Sequence, residues 1–174
     1  MMWLRQKQYQ IEHVTAVRAP AGIVWRHVTE VDIASFDHPA YLALLGIPKP
    51  LRAEVTQAGE GGRRVAYFAN GRTFTQQITT WQPHTRYDFT FKASPGFRVG
   101  YLLDLADGPF QMTAGSYRIV PGQDAVQLVL TSQFMLRGFI GWCLYLPVRL
   151  VLALFQRYLL RGIKANAERD AAHA

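Results

Sequence analysis

The 174-residue chain reads as an α+β fold in which a curved antiparallel sheet grips the chain's own last helix. Three observations predict this. The middle of the chain alternates polar and apolar residues with a period of two over several short runs, as half-buried strands do. Residues 138–170 carry apolar side chains at helical spacing, the first long helical pattern to occur. The order of elements is strand, short helices, many strands, long helix, and elements so ordered enclose an apolar interior between sheet and helix. Such an interior suits a container for a hydrophobic ligand.

Each element has its own signal. Residues 9–19 form the first strand, with Ile11, His13, Thr15 and Val17 on one face. Pro20 opens a short helix through Val28, because its fixed φ and missing N–H suit a first turn. A second helical stretch over residues 40–45 ends at Gly46 and is closed by Pro48 and Pro50. Between them, residues 32–39 are polar and irregular. From Leu51 the period becomes two: Arg52, Glu54 and Thr56 alternate with Ala53 and Val55, and Val65, Tyr67 and Ala69 with Arg64, Ala66 and Phe68. Gly59-Glu-Gly-Gly62 precedes a strand and not a helix, so it is a hairpin turn and not a phosphate loop. Asn70-Gly71 is the strongest hairpin signal, since both residues tolerate positive φ; it leads into a strand over residues 72–81. Tyr87, Phe89 and Phe91 then share the apolar face of another strand. Residues 94–109, punctuated by Gly and Pro, read as either a strand or a mobile flap. Strands over residues 110–120 and 125–136 follow, separated by Pro121-Gly-Gln-Asp124. No repeat or linker interrupts the pattern, and one domain spans residues 1–174 with its core at about 10–168.

On the closing helix, Leu144, Val148, Val151, Leu154, Phe155, Tyr158, Leu159 and Gly162 fall on one side, and Arg149, Gln156, Arg157, Arg161 and Lys164 opposite. Pro147 either begins the main helix or kinks a longer one begun near Phe139. Gly162 lets backbone or ligand approach closely. The segment does not span a membrane, because Pro147, Arg149, Gln156, Arg157 and Arg161 break the apolar run that about 20 residues of span require. Its basic face reads as a solvated surface near a helix C-terminus, or as a peripheral contact with anionic membrane aided by Phe139, Trp142 and Tyr145.

Composition narrows the function classes. Hydrophobic residues make up 49% and aromatic residues 13%, so rings such as Trp25, Phe74, Phe89 and Phe134 belong in a core or around a cavity. The net charge of +7 comes from 15 Arg and 4 Lys scattered without a run of five, which gives no footprint for nucleic acid. Cys143 is the only cysteine, which excludes an intrachain disulfide and a four-cysteine zinc site and favours a reducing compartment. Among Trp142, Leu144 and Tyr145 it reads as a buried, inert thiol. Residues 1–10 lack the apolar core of a secretory signal, so the cytoplasm is the expected location.

Several chemistries lack their motifs. There is no G-x-S-x-G elbow, H-E-x-x-H helix, P-loop or dinucleotide-binding glycine fingerprint, and the five histidines lack metal-ligand spacing. No metal or cofactor is expected. Candidate polar groups are few. His13 shares a face with core residues. Asp37 and His38 lie between the short helices. Asp104 and Asp107 suit paired acid/base work, although Asp107-Gly108 is also ordinary turn chemistry. Arg52 and Arg72 have the fork geometry for a carboxylate or phosphate, yet are more readily explained as solvent-facing strand residues.

The phrase Val17-Arg-Ala-Pro20-Ala-Gly-Ile-Val-Trp25 resembles the strand-to-helix opening of the START-like superfamily, the helix-grip proteins that include polyketide cyclases, Bet v 1-like proteins and lipid-transfer domains. The close is similar too: Val126, Leu128, Leu130, Ser132 and Phe134 alternate into a helix ending Leu160-Arg-Gly-Ile-Lys164. The stretch from Gly46 to Pro50, with Asn70-Gly71-Arg-Thr-Phe74 downstream, resembles a bacterial branch of that superfamily. The resemblance implies a seven-stranded sheet, two short helices between its first two strands, and a cavity under the last helix. On that fold Phe74, Phe89, Phe91, Met112 and Phe134 face Trp142, Val151, Leu154, Phe155 and Tyr158, with His38 and Tyr101 near the mouth. Each taken singly is ordinary core; the set describes a small-molecule pocket. The expected role is binding or transport of a lipid, isoprenoid or aromatic, polyketide-like metabolite. The alternatives are an aromatase/cyclase-type enzyme using the same cavity, and a cavity-free protein-interaction or membrane-surface module.

Overall fold

A computed structural model describes residues 7–100, 103–104 and 108–174. Strand β1 (Lys7–Val17) leads through Pro20 into helix α1 (Ala21–Thr29). A two-residue strand, β2 (Val31–Asp32), and helix α2 (Ala40–Leu44) follow. Next come β3 (Pro50–Gln57), β4 (Arg63–Phe68), β5 (Thr73–Gln82) and β6 (Arg86–Ala93). A small hairpin, β7 (Arg98–Val99) with β8 (Leu103–Asp104), precedes the long strands β9 (Phe110–Val120) and β10 (Val126–Leu136). Helices α3 (Gly138–Cys143) and α4 (Tyr145–Ala172) close the chain.

The main sheet is antiparallel with order β1-β10-β9-β6-β5-β4-β3-β2. It therefore has eight strands, one more than the resemblance implied. The extra strand pairs Val31 with Ala53 and Asp32 with Arg52. Two residues are too few for an alternation to show in sequence. Register shifts beside Phe134, Ile78, Pro50 and Val55 mark extra residues in one strand of a pair. Each such bulge bends its strand and adds twist, which curls the sheet.

Three local readings change. The Asn70-Gly71 hairpin forms, but only Gly71 takes positive φ (+74°); Asn70 accepts the Arg72 N–H on its side-chain oxygen instead. Residues 94–109 are not one strand: among those described, Phe97 is fully buried and the short pair β7–β8 follows it. The closing segment is two helices, with the break at Leu144 and Pro147 in the first turn of α4, where its missing N–H costs nothing.

Helix α4 packs chiefly on β1 and α1, with lighter contact to β10 and α2. Gly162 makes its closest approach possible: a Cβ there would stand 2.7 Å from Ile33 Cγ2. The buried residues form two clusters. The larger joins α1, the central strands and the far half of α4 around Val24, Ile78, Tyr87 and Ile163. The smaller, around Phe68, Phe97, Phe110 and Phe134, lies under the start of α4. A helix that leans on one edge of a curled sheet cannot also touch the strands on the far side, and a gap remains between them.

Candidate ligand-binding cavity

The gap is a cavity of about 330 Å³. Strands β3–β6, β9 and β10 form its floor through residues such as Phe74, Phe89, Phe91, Met112 and Leu130. Helix α4 roofs it with Val148, Val151, Leu152, Phe155 and Leu159, one turn apart or nearly so. Leu45, Gly100 and Pro147 line it and also reach solvent, so the mouth lies between the end of α2, the β7–β8 hairpin and the α3–α4 junction. The backbone joins two of these parts, the N–H of Gly100 donating to the carbonyl of Gly46 at 3.2 Å.

Of the expected lining residues, Phe74, Phe89, Phe91, Met112, Val151 and Phe155 face the cavity. Five others lie elsewhere. Phe134 stacks on Tyr9 (5.5 Å) and meets Phe110 at a tilt (5.8 Å) within the smaller core cluster. Leu154 packs against the larger one. The Tyr158 ring meets His38 edge to face at 6.2 Å behind the lining, where His38 Nε2 bonds the Ile47 carbonyl (2.9 Å). Trp142 is 68% exposed: α3 lays Gly141 against Leu136 and Pro109, and Trp142 lies on its outer face. Tyr101 lies outside the described residues, as does Asp107. Cys143, expected buried, is exposed for the same reason as Trp142.

The polar lining is what sequence reasoning missed. Arg64 on β4 is only 2% exposed. Its Nε donates to the Thr29 carbonyl (3.0 Å) and its Nη2 to the Val28 carbonyl (2.9 Å), satisfying the last turn of α1. Its Nη1 donates to Gln76 Oε1 (3.0 Å), which also accepts the Tyr87 hydroxyl (3.3 Å). All its described hydrogen-bond partners are neutral; none is a carboxylate. Tyr117 stands on the same wall, its phenol pushed up by burial with Arg64 pulling the other way. Burial likewise pushes Tyr87 up, to about 12, again opposed by Arg64. Facing them, Gln156 of α4 is 1% exposed and donates to Ser132 Oγ (2.7 Å). Its Oε1 lies 2.6 Å from His13 Nδ1, so that nitrogen carries the proton. Gln156 had been placed on the solvated face of the helix. Arg64 carried one signal: it shares strand parity with Ala66 and Phe68, both of the cavity wall.

Chemically the cavity is an apolar chamber with two small polar spots, the Arg64–Gln76–Tyr117 group and the Ser132–Gln156 pair, and with the exposed Arg52, one of the two expected anion-binding arginines, at its edge. Among the described residues no group of three or more His, Cys, Asp or Glu is placed to hold a metal ion. The family model described as polyketide cyclase / dehydrase and lipid transport matches residues 8–168. The chain belongs to that family. Solved structures of three relatives carry the same helix-grip fold. The Zhui aromatase/cyclase from a Streptomyces species is 17% identical, with a TM-score of 0.54 over 95% of this chain and 94% of that one. A norcoclaurine synthase point mutant from Thalictrum flavum, in complex with a transition-state analogue, is 15% identical, with a TM-score of 0.57 over 95% and 98%. A Staphylococcus aureus protein of unknown function is 8% identical, with a TM-score of 0.65 over 95% and 97%. At these identities the likeness shows the fold alone. No curated protein sequence matches the chain.

Proposed function

We propose that this family member binds a small hydrophobic molecule, a lipid, isoprenoid or aromatic metabolite, in the cavity between sheet and α4. One observation carries the reading: an apolar chamber of about 330 Å³ has a buried guanidinium in its wall with no carboxylate among its described partners. A chamber of this size and lining is the usual form of a small-molecule site. A buried cation held only by neutral acceptors keeps much of its desolvation cost, and a ligand bearing a carboxylate, enolate or phenolate end would offset it. The apolar body of such a ligand would lie against Phe74, Phe91, Val151 and Phe155, with its polar end toward Arg64 and Tyr117.

The described lining offers no His, Asp, Glu, Cys or Lys, which favours holding a ligand over transferring its protons. An aromatase/cyclase-type reaction is the second reading. Its support is the pairing of Arg64 with Tyr117 on one wall, since a guanidinium and a phenol can stabilise an enolate. Native mass spectrometry with organic extraction of the purified protein tests the first reading. Recovery of an apolar acid or phenol in stoichiometric amount, or saturable uptake of a fluorescent fatty acid, is the expected result. Absence of both, in protein from several hosts, would end it.

A further inference from the structure

The apolar residues that frame the cavity mouth do not stop at its edge. Leu44 on α2 is 80% exposed, Leu146 72% and Trp142 68%, with Phe139, Ile140 and Leu150 only slightly less so. Single exposed apolar residues need no explanation, but six of them on the segments that flank one opening mark a binding surface. Phe139 and Trp142 pack ring against ring at 6.0 Å, which presents them as one plate.

We infer that this collar docks on an anionic lipid bilayer. Charge supports the assignment. Between residues 125 and 167 there is no Asp or Glu, whereas Arg137, Arg149, Arg157, Arg161 and Lys164 all occur there. Arg157 and Arg161 are exposed and form no ion pair among the described residues. On α4, Leu146, Leu150, Arg157 and Arg161 fall on one stripe, because their offsets of 4, 11 and 15 residues are close to whole turns. The stripe is apolar at the mouth and basic about 10 and 16 Å beyond Leu150, at Arg157 and Arg161, at about 1.5 Å per residue. A helix lying in the membrane plane needs that sequence of groups, leucines in the acyl boundary and arginines among the headgroups. On the opposite lip, among the described residues, Asp37 and Asp104 are matched in number by Lys49 and Arg98.

A second copy of the chain is a poorer occupant. A two-fold pairing places the same patch against itself, and this one would bring its cations together with no acids between them. Docking on lipid also puts the mouth, at Leu45 and Pro147, against the hydrocarbon, so that an apolar ligand enters without crossing water.

The test is flotation of the full chain with phosphatidylcholine vesicles, with and without phosphatidylserine. Binding to the phosphatidylserine vesicles, weakened by raised salt, is expected. Leu146→Glu should lower the partition coefficient at least ten-fold, and Trp142→Ser several-fold, with thermal melts unchanged because both side chains are exposed. Arg157→Gln with Arg161→Gln should lose about five-fold per arginine and only on anionic vesicles. Brominated acyl chains should quench the wild-type tryptophan emission more than that of Trp142→Phe. No binding to either vesicle, equal binding by Leu146→Glu, or a concentration-dependent dimer that Leu146→Glu dissolves would each overturn the proposal.

Discussion

Gly115 lies directly under the ring of Phe89: a Cβ on residue 115 would sit 2.6 Å from both Cε2 and Cζ of that ring. Phe89 forms part of the cavity floor, so a strand residue with no side chain decides how far the floor extends upward. Gly115→Ala should push the ring toward α4 and cost about 1–3 kcal/mol of stability. Uptake of an apolar fluorescent probe should fall several-fold while the circular dichroism spectrum is retained. Unchanged uptake would mean that the displaced ring does not enter the ligand's space.

Tyr87 predicts the alkaline behaviour. Its phenol is held near 12 in the folded chain against an ordinary value of 10.0. A raised folded value means stability that is present below pH 10 and is lost as pH rises from about 10 toward about 12, up to about 3 kcal/mol in all. Tyr87→Phe should flatten that limb in urea melts, leaving the slope from Tyr117, which burial pushes the same way. At neutral pH it should cost about 1 kcal/mol for the lost bond to Gln76.

Asp88 governs the acid side. Burial disfavours its charge, but the hydrogen bonds from Arg86 (3.0 Å) and Ser116 (2.5 Å) outweigh burial and hold the carboxyl below its ordinary value. A depressed folded value gives stability that is present above about pH 4 and is lost as pH falls through it. Asp88→Asn should lower stability at pH 7 by roughly 1–2 kcal/mol and make the acid limb shallower. Parallel acid limbs for the two proteins would refute the assignment.

The contact of Gly162 with Ile33 sets how closely α4 approaches the end of β2. Gly162→Ala should destabilise by about 1–3 kcal/mol despite alanine's better helix propensity. Combining it with Ile33→Ala should cost less than the two separate losses together, with a coupling of about 1 kcal/mol. Strict additivity in chemical denaturation would show that the helix moves aside freely.

The order of elements, the strand face of Ile11, His13, Thr15 and Val17, and the bounds of β9 and β10 were legible in the chain, because period and turn chemistry are local. So were the cavity-facing aromatics of β5 and β6, whose parity follows from the pleat. Strand β2 was not, since two residues carry no period. Trp142 and Cys143 misled because the break at Leu144 lies inside an unbroken apolar run, and only packing shows that α3 buries Gly141 and leaves its neighbours exposed. Gln156 misled because a wheel with one buried face ignores a helix that leans sideways on β1 and roofs a cavity with its flank.

Local sequence thus determined that this would be a curled sheet with a closing helix, and which strands would be richest in rings. The tertiary structure alone decided that the space between them stays open, and that Arg64, Gln76, Tyr117, Ser132 and Gln156 belong to its polar lining. The physical reason is that a polar side chain is buried only when acceptors from distant segments meet it. For Arg64 these are the last carbonyls of α1, 35 and 36 residues away, and no run of neighbouring residues encodes that meeting.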